Sequence, residues 1–285
     1  MWRIGLFGSV AACNAVFGND RVHTRIDDLR LLKPPLDTPA SCPPPPDFST
    51  WTIAPRAYPG INGGVLHPTF LSDQDVVFNY QTQFYEGDLT AAPTKLGELD
   101  DMTGAVLAGA AAAPGGDVFW YVRYSELGGG LYYAVRDGDH WAPHAADFAV
   151  TAYALEPGSA GFYGSEVRMV VAVKRTVNTP YELTELSSLD GTTWTELPPL
   201  PFDAPPDYRT AYADPALSVD GCVLLFSRGT IGIEVALRGA DGTFRAPFPF
   251  PGAADPVANQ PAISPDQTLV WWESADSHDD RQATP

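Results

Sequence analysis

The sequence predicts an all-β protein built from repeated units of several short strands, and three observations carry that prediction. First, Asp214-Pro-Ala-Leu-Ser-Val-Asp-Gly-Cys-Val-Leu-Leu-Phe-Ser227 returns about 46 residues later as Gln260-Pro-Ala-Ile-Ser-Pro-Asp-Gln-Thr-Leu-Val-Trp-Trp272. Each copy reads as a short strand, a tight turn and a buried apolar strand. Second, the 26 glycines and 28 prolines lie between apolar runs rather than in blocks, the pattern of many short strands and little helix. Third, Asp137-Gly138 precedes Trp141, Asp190-Gly191 precedes Trp194, and Asp241-Gly242 precedes Phe244. Asp-Gly favours a type I′ hairpin, and an aromatic just after it covers the outer edge of a sheet.

A repeat of this length marks either a propeller blade or a solenoid coil. A proline followed five residues later by Asp occurs at Pro68…Asp73, Pro215…Asp220 and Pro261…Asp266. Two degenerate copies fall between the first and second, around the apolar strands Val118–Val122 and Met169–Val173. The two ends are complementary. The copy at Pro261 runs out before its last strand, and the segment around Phe48 to Pro55, with Trp51, resembles only such a last strand. Joining them leaves no free sheet edge, which selects a closed ring. The expected architecture is a five-bladed β-propeller over 47–285. Its blades are 62–102, 103–147, 148–203, 207–253, and 254–285 completed by 47–61.

Seventeen basic against 35 acidic residues give a net charge of −18, which repels phosphate backbones and argues against nucleic acid as a partner. Met1-Trp-Arg3, the apolar run Ile4 to Ala12 and small residues before Cys13 have the order of a short secretory signal, residues 1–12. Val10-Ala-Ala-Cys13 resembles the bacterial lipobox, which implies lipidation at Cys13; the alternative is a mis-started signal with an incidental cysteine. Residues 13–46, with Pro34-Pro35 and Pro43 to Pro46, then form an extended tether from lipid to domain. The apolar run is too short to span a bilayer. Cys42 and Cys222 remain, either paired as a disulfide or both free.

The repeat Pro-Ala-Leu-Ser-Val-Asp-Gly followed by an apolar run, and above all Ala262-Ile-Ser-Pro-Asp266, resembles the TolB-like (WD40-like) propeller repeat of bacterial envelope proteins. The resemblance is good over 207–274 and partial over 66–79. It implies an exported protein, periplasmic or on the cell surface as an outer-membrane lipoprotein. The expected role is a non-catalytic binding propeller that engages an envelope protein or a glycan, as a monomer and without a cofactor. Ser188-Leu-Asp190-Gly-Thr-Thr-Trp194 is similar to the sialidase Asp-box, a structural hairpin in that family, but Arg56-Ala-Tyr-Pro59 matches the family's arginine motif poorly.

Catalysis has one set of candidates. Tyr212-Ala-Asp214-Pro-Ala is similar to the start of a blade in five-bladed arabinanase-type glycosidases, where the Asp is a general base in the central channel. Glycoside hydrolysis needs a second carboxyl group. Glu166 and Asp255 are the candidates, with His67 to orient them. The alternative is that Asp214 and Asp255 cap turns. The five His and three Cys show no metal-ligand spacing, Gly128-Gly-Gly130 lacks the lysine of a phosphate loop, and no Gly-x-Ser-x-Gly elbow occurs.

Overall fold

The computed structural model describes Leu32 and residues 41–285, apart from short stretches at 57, 62–64, 81–82, 100–105, 126–127, 149–153, 204–210, 230, 254–257 and 275–278. Beyond two three-residue turns of 3₁₀ helix at Phe48–Thr50 and Gly97–Leu99, the named elements among them are strands. These form antiparallel meanders in sequence order. The first runs Leu66–Phe70, Asp75–Tyr80, Gln83–Asp88, Thr94–Lys95, and the second Val106–Ala112, Val118–Ser125, Gly128–Asp137, His140–Ala145. A nine-stranded sheet contains two more. Ala154–Tyr163, Glu166–Lys174, Glu182–Ser188 and Thr193–Glu196 join Tyr212–Leu217, Val223–Arg228, Gly232–Leu237 and Phe248–Pro249 through a single parallel bridge, Ser159 to Ala216. The last sheet combines Ala258–Ile263, Val270–Ser274 and Asp279–Thr284 with Thr52–Arg56.

That last pairing joins the two ends of the domain. Thr52–Arg56 lies antiparallel on Asp279–Thr284 from Thr52 opposite Thr284 to Arg56 opposite Asp280. Phe48 locks the junction by packing on Trp51 and Phe250, with ring centroids 5.1 and 5.4 Å away. The first strands of the meanders form the inner ring. Each neighbours the next in chain order, and Ala258–Ile263 packs back against Leu66–Phe70.

The core follows the same rule, because each apolar cluster is shared by two consecutive meanders. Phe84 meets Phe119 and Tyr121 at the first seam, with Trp141 packed on Phe119. Trp120 and Trp194 cross edge to face at 5.3 Å at the second. Tyr212 and Phe226 meet Leu183 at the third, and Phe250 and Trp272 meet at the fourth. Tyr58, Phe78 and Trp271 close the seam between last and first. Each such aromatic removes about 150–250 Å² from water, worth on the order of 4–6 kcal/mol before chain entropy is counted. A repeat unit with one buried face cannot stand alone; stacking the units in a ring gives each face a partner.

Two expectations change in detail. In the hairpin after Gly128–Asp137, Asp137 pairs with His140, so the loop residues are Gly138 and Asp139. Only Gly138 has positive φ (64°), which excludes the type I′ turn, since that turn needs positive φ at both positions. The segment before the domain is also more than a spacer. Leu32 is 2% exposed and packs in the cluster of Trp120 and Trp194. Cys42 is disulfide-bonded to Cys222 with Cα atoms 5.5 Å apart. Cys13 and the signal segment lie outside the described residues. No helix among the described residues is long and apolar enough to cross a membrane.

Candidate functional site

Every inner strand carries a one-residue bulge against its neighbour. The register breaks between Leu66 and Thr69, Ala108 and Ala110, Pro157 and Ala160, Ala213 and Ala216, and Asn259 and Ala262. A bulge bends the strand and re-aims the side chain beside it. At three of them the residue before a proline is left-handed though it is not glycine: His67, Asp214 and Gln260 have φ of 48°, 47° and 52°. Such backbone strain in polar residues concentrates at functional sites. The other two bulges use glycine. A Cβ on Gly158 would sit 2.4 Å from the Pro215 carbonyl oxygen, and one on Gly109 would sit 2.7 Å from Pro157 Cδ. The inner strands pass too close there for a side chain.

The bulges bring polar groups from four meanders together. His67 Nδ1 lies 3.4 Å from Asp214 Oδ1, and Ser227 Oγ donates to Asp214 Oδ2 at 2.6 Å. The backbone N–H of His67 donates to Gln260 Oε1 at 2.6 Å, and that of Asp214 donates to Glu156 Oε2 at 3.4 Å. Twice around the ring, a side chain at a bulge (Gln260) or just ahead of one (Glu156) thus holds the backbone of the next meander's bulge.

The electrostatics follow from crowding. Loss of hydration, then the nearby charge of Asp214, pushes the Glu156 carboxyl up to about 8, against bonds from the Asp214 N–H and Tyr181 that pull it down. Burial holds His67 below the ordinary imidazole value, with Asp214 pulling the other way. Around neutral pH the cluster therefore contains a protonated carboxylic acid, a second carboxyl group and a neutral imidazole. That set can exchange hydrogen bonds with hydroxyl groups, and in principle it can transfer protons.

The structure brings Asp214 and His67 together but places Glu166 elsewhere. Glu166 pairs with Tyr163 at the far end of Ala154–Tyr163, about 20 Å along the strand from Glu156, and its carboxylate is 2.7 Å from Arg168. Asp255 lies outside the described residues. The carboxyl group that does sit beside Asp214 is Glu156, which sequence reading passed over. Its sequence signal was a carboxylate before a proline, Glu156-Pro157, but it sits two residues ahead of the position equivalent to His67, Asp214 and Gln260, which in this strand is Gly158. Asp214 also differs from a turn cap, since it accepts from a hydroxyl and its own N–H donates outward. The Asp-box-like hairpin is structural. Asp190 Oδ1 accepts from the N–H groups of Thr192 and Thr193, and Ser188 Oγ accepts from Gly191. Among the described residues no group of three or more His, Cys, Asp or Glu could hold a metal ion.

No protein-family model matches the chain, and comparison with curated proteins finds no match. Solved structures do match in fold. A thermostable family-43 glycoside hydrolase aligns at a TM-score of 0.52 and 10% identity, over 81% of this chain and 91% of that one. The PQQ-bound aldose sugar dehydrogenase of Streptomyces coelicolor aligns at 0.50 and 10% identity, over 85% and 99%. TolB of Acinetobacter baumannii aligns at 0.44 and 12% identity over 78% of this chain, which spans 55% of the TolB chain. The class defined by fold and neighbours is the β-propeller.

Proposed function

We propose that the chain is an exported binding module: a five-bladed propeller, lipid-anchored at Cys13, that engages an envelope protein or glycan and turns nothing over. The observation that carries this reading is how the ring groups are used. Glu156 and Gln260 hold backbone N–H groups of neighbouring meanders, and Asp214 is held by Ser227 and His67. Such bonds fix a binding surface, and breaking them to reach a substrate costs stability. Incubation with arabino- and xylo-oligosaccharides should release no sugar from wild type or Asp214→Asn. Turnover by wild type that the substitution abolishes would overturn the reading. In a bacterial host, palmitate label should follow the protein and vanish in Cys13→Ser; equal labelling of the two would remove the anchor.

One observation favours a second reading, a glycoside hydrolase of the five-bladed class. A carboxylic acid held up to about 8 beside another carboxyl group is the arrangement of a general acid and its partner. On this reading Glu156 is the acid, Asp214 the base and His67 the orienting group. The same oligosaccharide assay decides, since acid–base catalysis is worth about 10²–10⁴-fold per group.

A further inference from the structure

Away from the ring, a cavity of about 270 Å³ opens beside the loop that follows Glu166–Lys174, between Pro180 and Leu183 on one side and Pro199, Leu200, Phe202 and Tyr212 on the other. Its walls are apolar, from Leu183, Leu200, Phe202, Pro180 and the ring of Tyr212. Two of them are held by neighbours. Phe202 stacks on Phe226 with centroids 5.6 Å apart, and the Tyr212 hydroxyl donates to the Asp203 carbonyl at 2.6 Å. Apolar walls facing an unfilled space lose dispersion contacts, and walls tied to their neighbours regain few of them by collapse. Such a cavity is built for a guest.

Volume and charge narrow the guest. Sites for drug-sized ligands run from about 300 to 1,000 Å³, so this one suits a single large side chain better than a whole ligand. The charged lining residues are Arg175 and Glu182, and Glu196 bonds Arg175 from outside the lining. Arg175 Nε donates to Glu182 Oε1 at 2.7 Å, and its other nitrogens bond Glu196, leaving two carboxylates against one guanidinium. The rest of the chain adds to that sign, with its net charge of −18. Val177, on the loop at the mouth, is 57% exposed and extends the apolar surface outward. We propose that this cavity receives one large apolar side chain of a partner polypeptide, from a segment with basic residues on either side of it. A buried anchor inside a polar rim is how most of the energy of such contacts is concentrated. The inference stands whether or not the ring performs chemistry.

The test uses the full chain and fluorescein-labelled seven-residue peptides, Gly-Lys-Gly-X-Gly-Lys-Gly with X as Leu, Phe, Trp or Ala, and the same set with Glu for Lys. Anisotropy should show at least one apolar-centred lysine peptide binding about tenfold tighter than its alanine and glutamate counterparts. Leu200→Trp, which fills the cavity, should remove that preference. Glu182→Lys alters an exposed carboxylate, keeps the fold, and should erase the advantage of lysine flanks. Equal binding of alanine- and apolar-centred peptides would overturn the proposal, as would no binding by any peptide at about 1 mM. So would equally tight binding of free N-acetyl-tryptophanamide, which would make the cavity a small-molecule site.

Discussion

The Nδ1 atom of His67 and the Oδ1 atom of Asp214 lie 3.4 Å apart, although the two residues belong to meanders separated by two others on one side of the ring and by one on the other. The contact reaches across the centre, so the inner strands enclose a narrow passage there. Asp214 meets Glu156 on its other side, so ionisable groups from three meanders lie in one linked system.

That system makes stability depend on pH with a definite sign. Folded Glu156 keeps its proton up to about 8, whereas the unfolded side chain releases it near 4.5. The folded state binds the extra proton within that window, so stability falls as pH rises, by at most about 1.4 kcal/mol per unit. His67 works in the opposite direction. Its lowered folded value means that the unfolded chain protonates first, and stability falls as pH drops through 6.5. Between about 6.5 and 8 the slope from the ring belongs to Glu156. Urea midpoints should decline over that interval in wild type and stay level in Glu156→Gln, which should be the more stable protein at pH 8. An unchanged slope in the variant would count against the raised acid.

Arg238 and Glu185 form a buried pair across the seam of the third and fourth meanders, 2.6 Å apart with side chains 1% and 8% exposed. The guanidinium also donates to the carbonyls of Gly221 and Gly242 and lies 4.5 and 4.1 Å from the rings of Tyr163 and Phe244. Glu185→Gln leaves a buried cation uncompensated and should cost about 3–5 kcal/mol. Arg238→Lys should also destabilise, because one ammonium cannot reproduce the fork or the stacking. Chemical denaturation reads both, and a loss below about 1 kcal/mol in each would show the pair to be dispensable.

Ring closure is tested at Phe48, which is 3% exposed beneath Trp51 and Phe250. Phe48→Ala should cost about 3–5 kcal/mol and lower the melting temperature. Deleting residues 47–60 removes the strand on Asp279–Thr284 altogether and should expose its edge, giving aggregation or loss of cooperative melting. A deletion variant that stayed monomeric with unchanged melting would refute closure by this strand.

The Cys42–Cys222 bond spans a sequence separation of 180. Loop-closure entropy for a chain of that length puts its contribution at roughly 5 kcal/mol, reduced by any native strain. Reduction, or Cys42→Ser, should lower the denaturation midpoint accordingly. Mass analysis of the oxidised protein should show two hydrogens fewer than the reduced form. Alkylation of both thiols in the native protein would contradict the bond.

The sequence by itself determined the repeating strand pattern and the completion of the last sheet by the first strand. Both are properties of short segments: alternation, turn residues, and a missing strand at one end that the other end supplies. It also named Asp214, through the likeness of Tyr212-Ala-Asp214-Pro-Ala to the start of a glycosidase blade, and His67 as its orienting group. What it could not show is that Glu156, and not Glu166, stands beside Asp214. Two carboxylates ten positions apart on one hairpin look equivalent until the direction of each strand around the ring is known. The docking of Leu32 beneath Trp120 is of the same kind, since it rests on a long-range surface that no local pattern encodes. Tertiary structure decided the site because the extra residue in three of the inner strands turns His67, Asp214 and Gln260 toward their neighbours, and only the closed ring brings these distant repeats within hydrogen-bonding distance of one another and of Glu156.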